Sequence, residues 1–192
     1  RVETVERALF SPATSTVDPV EVTRSLAQDA KDEGIEIHTG TAYKSRIGNC
    51  IRTNSGDYEA GYLVNSAGLY ADVIAMQYGF SRRHRILPFK GIYLCSNELP
   101  GSVKTNIYPV PDLRNPWLGV HFTVTVDGKV KIGPTAMPAF WREQYNGLDN
   151  FKFSELMEIA VRQLSLMISS DFDFKRIAAE EFMKYSKSRL IY

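Results

Sequence analysis

Residues 106–136 read NIYPVPDLRNPWLGVHFTVTVDGKVKIGPTA, and the fold turns on them. Three short apolar runs stand out, at residues 106–110, 117–124 and 130–133. Prolines separate the first two, and Asp127-Gly128 separates the last two. Asp-Gly between apolar runs is a strong hairpin signal. The middle run alternates: Leu118, Val120 and Phe122 share one face of an extended chain, and Gly119, His121 and Thr123 share the other. The first set is expected in a core. The second offers an imidazole, a hydroxyl and the room left by a glycine, which suits one wall of a small-molecule pocket. It suits the polar outer face of a half-exposed sheet equally.

On the amino-terminal side of this stretch, residues 85–95 form a long strand candidate interrupted by Pro88 and Gly91. Pro88 removes a ladder donor, which favours an edge, a bulge or a bend. On the carboxy-terminal side, residues 140–150 read as a polar, aromatic loop. Residues 155–168 then show helical periodicity. Ser154 stands at the capping position, and Leu156, Ile159, Val161, Leu164 and Ile168 are available to the core. Residues 171–175 break the pattern, and 178–187 read as a last helix.

The amino-terminal half carries clear local signals. Asp18 can cap a helix, Pro19 suits its first position, and Glu21 sits where a capping-box acid belongs. The helix should run to about residues 31–33, with Val22, Leu26 and Ala30 as its buried stripe and Gly34 as its stop. Residues 35–37 alternate as a short strand. Residues 42–47 and 50–53 flank Gly48-Asn49, and residues 54–57 turn the chain again, which gives a small antiparallel meander. Residues 62–65 read as a compact strand running into Ser66-Ala67-Gly68. A second helix follows, with Ala71, Ile74, Ala75 and Tyr78 on one face and Gly79 after it. The fold class expected is α+β: a mixed, largely antiparallel sheet with helices packed on one side.

Composition narrows the function. The 192 residues carry 23 basic and 22 acidic side chains, a formal net charge of +1, so no electrostatic footprint for nucleic acid or an anionic membrane appears. The cluster Arg82-Arg83-His84-Arg85 is too short to change that and reads as a solvated loop. Cys50 and Cys95 form no CxxC and stand near no histidine at ligand spacing, so no metal site is expected. No apolar run reaches the roughly 20 residues of a membrane helix. The expected setting is cytoplasmic, or peripheral to the inner side of a membrane through segments this chain does not contain.

Several short motifs occur together in register: PFKGIY at residues 88–93, NIYPVPD at 106–112, WLGVHFT at 117–123, the Asp-Gly turn, and IGPTA at 132–136. With these the chain resembles the L-2-hydroxyglutarate dehydrogenases and oxidases, within the FAD-dependent D-amino-acid-oxidase-like oxidoreductases. VNSAGLYAD at residues 64–72 and SPATSTVDP at 11–19 resemble that wider superfamily. The resemblance covers roughly residues 11–147. It implies a partial FAD-domain segment over residues 1–80 and a truncated substrate domain over 81–192. It also implies FAD as cofactor, with Tyr43, Ser66, Ala67 and Gly68 beside it, mostly through backbone atoms. The family's G-x-G-x-x-G turn, which holds the pyrophosphate, is nowhere in the chain. The residues therefore read as an internal fragment, expected to bind FAD weakly or not at all in isolation.

Oxidation of a 2-hydroxy acid requires loss of the hydroxyl proton as hydride leaves the carbon. An imidazole, with an ordinary pKa near about 6.5, can accept that proton at neutral pH. His121 is the candidate base, and a histidine merely hydrogen-bonded within a sheet is the competing reading. A dicarboxylate also needs cations and donors: Lys90, Tyr93, Tyr108, Thr123 and Thr135 are the substrate-binding candidates, each of which packing or surface exposure would explain as well. The family commonly has arginine where this chain has Lys90, which supplies charge without the bidentate fork. Two alternatives stay open. One is a related flavin enzyme acting on an amino acid or a glycerol phosphate. The other is a non-catalytic binding module that keeps the sheet.

Overall fold

The computed structural model describes residues 7–110 and 119–169, and the secondary structure below is that of these residues. Helix α1 spans Pro19–Asp32 and begins as its sequence dictates. The Asp18 carboxylate accepts the Val20 N–H at 2.8 Å, so one orphan donor of the first turn is satisfied. Glu21 turns instead to Arg24, at 2.6 Å. Gly34 takes a φ of +80°, and the Ile35 N–H reaches back to the Ala30 carbonyl at 2.9 Å, closing the helix in a left-handed cap. The expected buried stripe does not form. None of α1 is buried, and Val22 and Leu26 are 43% and 64% exposed, because no described element lies over them. Residues 35–37 do not form a strand either, since no strand among the described residues pairs with them.

A meander follows: β1 (Tyr43–Ile47), β2 (Cys50–Thr53) and β3 (Asp57–Glu59), all antiparallel. Gly48, at φ +58°, supplies the left-handed first corner of the two-residue turn. Residues 62–65 then run without strand pairing, contrary to the expected strand. A 3₁₀ turn at Gly68–Tyr70 leads into α2 (Ala71–Gln77), and Gly79 ends it at φ +82°. The Tyr43 hydroxyl donates to the Gln77 side-chain oxygen at 2.7 Å and ties β1 to α2.

The remaining strands are β4 (Phe89–Lys90), β5 (Leu94–Cys95), β6 (His121–Val124), β7 (Val130–Gly133) and β8 (Met137–Pro138). They make two small sheets, β4–β8 and β5–β7–β6, and every described pairing is antiparallel. The α+β class holds. The expected mixed sheet, and the single long strand over residues 85–95, do not. The strand divides at Gly91, where a side chain would meet the Pro134 ring at 2.8 Å. Two chain segments cross so closely there that the ladder cannot continue. Ile107 makes one isolated bridge with Phe122 in place of a full strand.

The Asp127-Gly128 hairpin forms as expected, with Gly128 at φ +76°. Asp127 accepts from the Thr125 hydroxyl and pairs with Lys129 at 3.0 Å, and these bonds hold its carboxyl down to about 2. Helix α3 spans Phe153–Ser169, two residues earlier at its start than the periodicity suggested, so Ser154 lies inside it. Its buried side is narrow: Ile159 is fully buried, while Val161, Leu164 and Ile168 are exposed. The small core comprises Val130, Met137, Ala139, Trp141 and Ile159. Trp141 lies in the segment expected to be a polar loop. Its indole N–H donates to the Asp149 carbonyl at 2.7 Å, and Phe151 packs edge-on at 5.1 Å. The expected burial of Leu118, the break at 171–175 and the last helix at 178–187 lie outside the described residues.

Candidate functional site

His121 opens β6 opposite Gly133 of β7. It is 5% exposed, more deeply placed than its neighbours Val120 and Phe122, which reverses the burial expected from alternation. The cause is local. The Tyr108 ring stacks on the imidazole with centroids 4.5 Å apart and planes inclined by 29°. The Nδ1 atom lies 2.9 Å from the Gly119 carbonyl oxygen. A carbonyl only accepts, so Nδ1 carries the proton and Nε2 presents a lone pair.

The other candidates gather around the same hairpin to different degrees. Tyr93 lies against Gly133, with its ring 2.8 Å from where a side chain at Gly133 would begin. Thr135 is 3% exposed and its hydroxyl accepts the Ile92 N–H at 3.2 Å. The Thr135 N–H in turn donates to the Ile92 carbonyl at 3.1 Å. Thr123 pairs with Lys131 one step further along β6. Lys90 stands on β4 opposite Met137, in the neighbouring sheet. Asn106 braces the group: its side-chain oxygen accepts the Val124 N–H at 2.7 Å, and its amide donates to Thr16 at 3.2 Å.

Tyr43, Ser66, Ala67 and Gly68 form a second set, on the meander and the turn before α2. Asn65 shapes that turn, accepting the Ala67 N–H at 3.3 Å and donating to the Ala71 carbonyl at 2.8 Å. Ser66 and Gly68 are exposed, and Gly68 has open space where a side chain would project.

Next to the turn before α2 lies a buried ion network that the sequence did not announce. Arg142, whose side chain is 1% exposed, makes a bidentate pair with Asp72 at 2.8 and 3.1 Å and also donates to the Leu69 carbonyl. Burial alone would raise the Asp72 carboxyl. The Arg142 bonds and charge, with the Ile86 and Val73 N–H groups, outweigh that and hold it below its ordinary 3.8. Glu155 accepts the Arg142 backbone N–H at 2.9 Å. Glu155 also accepts from Lys152 at 3.2 Å, and Lys152 donates to the Tyr70 hydroxyl at 2.8 Å. Glu158 and Arg162 of α3 complete the cluster. The one available sequence signal was the spacing of Glu155, Glu158 and Arg162, which places three charges on one helix face.

Among the described residues no group of three or more His, Cys, Asp or Glu side chains is arranged to hold a metal ion. No described helix is long and apolar enough to cross a membrane. A shallow hollow of about 440 Å³ lies along α1, lined by Pro19, Val20, Thr23, Arg24 and Ala27, and contains none of the site candidates.

Residues 1–176 match the FAD dependent oxidoreductase family, and the chain belongs to that family. Within it the chain is similar to proteins named L-2-hydroxyglutarate dehydrogenase. It is 35% identical to the mitochondrial protein of Caenorhabditis elegans over 178 residues, covering 88% of this chain and 41% of that protein. It is 36% identical to the mitochondrial human protein over 188 residues, with 87% and 40% covered. It is 38% identical to an Escherichia coli protein over 157 residues, with 79% and 37% covered. The chain thus spans about two fifths of the length of these relatives.

Proposed function

We propose that this chain forms the substrate-side wall and a strip of the cofactor site of an FAD-dependent oxidoreductase that oxidises a 2-hydroxy acid of the L-2-hydroxyglutarate kind to its 2-keto acid. Support comes from the shared name of the relatives, which agree with the chain across nearly all its length. The observation that carries it is the setting of His121: buried, stacked under Tyr108, with Nδ1 bound to a carbonyl and Nε2 left as the acceptor.

FAD supplies the hydride acceptor. The chain's residues would do the rest. His121 takes the hydroxyl proton on Nε2, while the Gly119 carbonyl fixes the tautomer and steadies the imidazolium that results. Tyr108 holds the ring plane. Lys90 offers positive charge to a carboxylate, and Tyr93 and Thr123 offer hydroxyls beside it. The Thr135 hydroxyl accepts the Ile92 N–H, which orients it and leaves its O–H as a donor. Arg142 is committed to Asp72 and Leu69, so it is not the carboxylate receptor. Backbone atoms of residues 64–68, with Tyr43 behind them, would flank the cofactor, and the pyrophosphate-binding turn must come from outside this chain.

The test is anaerobic mixing of the complete, FAD-loaded protein that contains this chain with L-2-hydroxyglutarate, its D enantiomer, a D-amino acid and glycerol 3-phosphate in turn. Rapid loss of flavin absorbance with the L-hydroxy acid is expected. Bleaching by one of the others and not by it would replace the substrate, and no bleaching by any would favour a binding module.

A further inference from the structure

Arg142 is buried among acceptors that belong to two parts of the chain. Its guanidinium reaches the Leu69 carbonyl, one residue past Gly68, and grips both oxygens of Asp72 at the start of α2. Its own backbone is anchored to Glu155 of α3. Asp72 accepts a further bond from the Ile86 N–H at 3.2 Å. The turn at residues 65–68 is largely exposed and is held by Asn65 and by the Tyr70 N–H on the Ala67 carbonyl at 3.0 Å, and Arg142 adds a bond to the next carbonyl, that of Leu69.

We propose that Arg142 and Asp72 are positioning residues for the cofactor-flanking turn: they set its backbone against α3 so that residues 66–68 meet the flavin nucleotide in a fixed geometry. This rests on the reading of residues 64–68 as a cofactor flank. A planar five-donor fork is suited to the task, because it joins a carbonyl and a carboxylate in one plane, whereas an ammonium group cannot.

The experiment measures the FAD dissociation constant of the complete protein that contains this chain and of three variants, Arg142→Lys, Asp72→Asn and Val130→Ala, with hydrogen exchange at the Tyr70 and Ala71 amides. Val130 lies in the core of the β6–β7 hairpin, and its truncation destabilises without touching the turn. Expected is a tenfold or greater weakening of FAD binding in Arg142→Lys and Asp72→Asn, faster exchange at the two amides, and wild-type affinity in Val130→Ala. FAD affinity unchanged in folded Arg142→Lys and Asp72→Asn, beside a wild type that binds FAD, would overturn the proposal and leave the flavoprotein reading standing. Equal weakening in Val130→Ala would overturn it too, as loss of stability would then explain the effect. A complete wild-type protein, with the pyrophosphate-binding turn present, that takes up no FAD would defeat both. Should neither clamp variant fold, Glu155→Gln carries the test, because it weakens the acceptor of the Arg142 N–H, with that of Lys152, and leaves the guanidinium pair with Asp72 in place. A wild-type constant in Glu155→Gln would then overturn the proposal.

Discussion

Gly133→Ala should be among the costliest single-methyl additions in this chain. A Cβ at residue 133 would lie 2.7 Å from the Ile92 carbonyl oxygen and 2.8 Å from the Tyr93 ring. Tyr93 is 42% exposed and can swing aside. The Ile92 carbonyl cannot move so freely. It accepts from the Thr135 N–H at 3.1 Å while its own N–H donates to the Thr135 hydroxyl at 3.2 Å, and Leu94 is already laddered to Ile132. Relief of the clash therefore breaks a bond or shifts β7 against β5, a cost of about 1–3 kcal/mol. The backbone angle, φ +155°, adds strain of about 1 kcal/mol for a residue with a side chain. The sum is about 3 kcal/mol, or a fall in melting temperature on the order of 10 °C. Gly128→Ala is the natural comparison. It too has a positive φ, +76°, but its Cβ would meet only the Pro100 ring at 3.0 Å in an exposed turn, and it should cost about 1 kcal/mol. Urea unfolding of both variants decides the matter. The reasoning fails if Gly133→Ala lies within about 0.5 kcal/mol of wild type, or if it costs no more than Gly128→Ala.

Asp72→Asn leaves a guanidinium buried with Glu158 at 3.8 Å as its remaining anion, and should cost about 3 kcal/mol in the same assay; a loss below about 1 kcal/mol would show that Glu158 suffices. Because the Asp72 carboxyl is held below 3.8 in the folded protein, its contribution is complete above the unfolded value and is lost as pH falls through the folded one. Wild type should therefore lose stability faster than Asp72→Asn on acidification below about pH 4, and parallel curves in acid denaturation would contradict this. His121→Asn should slow flavin reduction by roughly a hundredfold or more with little change in flavin content; near-normal reduction across neutral pH would leave His121 only its place in the sheet. Lys90→Met should raise the substrate concentration needed and spare the saturated rate, and an equal fall in both kcat and kcat/KM would assign Lys90 to the transition state instead.

Local chemistry was legible in the sequence. Asp18-Pro19 and Gly34 bracket α1, Gly48 and Gly128 mark the β1–β2 and β6–β7 hairpins, and Gly79 ends α2, because each signal acts within a few residues of itself. What depends on distant partners was not. The division of the strand at Gly91 is set by Pro134, which arrives more than forty positions later. The pair Arg142–Asp72 joins residues 70 apart in sequence. Burial was misjudged in both directions for one reason. Alternation and helical stripes say which side of an element is apolar, but only a neighbour makes that side buried. Thus Leu26 and Leu164 stand exposed, whereas His121 is covered by Tyr108 and Gly119. The motif stretch did lead to the residues that surround His121, although the chain builds from them two small sheets rather than one.

The run Tyr62–Leu63–Val64 now bears on how the protein behaves in a tube. It is apolar, largely exposed and part of no strand, with Tyr62 87% and Val64 74% accessible. Extended peptide of this kind, with uncommitted edge groups, is a template on which a second extended chain can add. Solutions of this chain should therefore associate as concentration rises, little affected by salt, and a single gatekeeper charge such as Val64→Lys should restrain them. The short apolar run proposed as a cofactor's flank is, when bare, also a place where the molecule can adhere to its own kind.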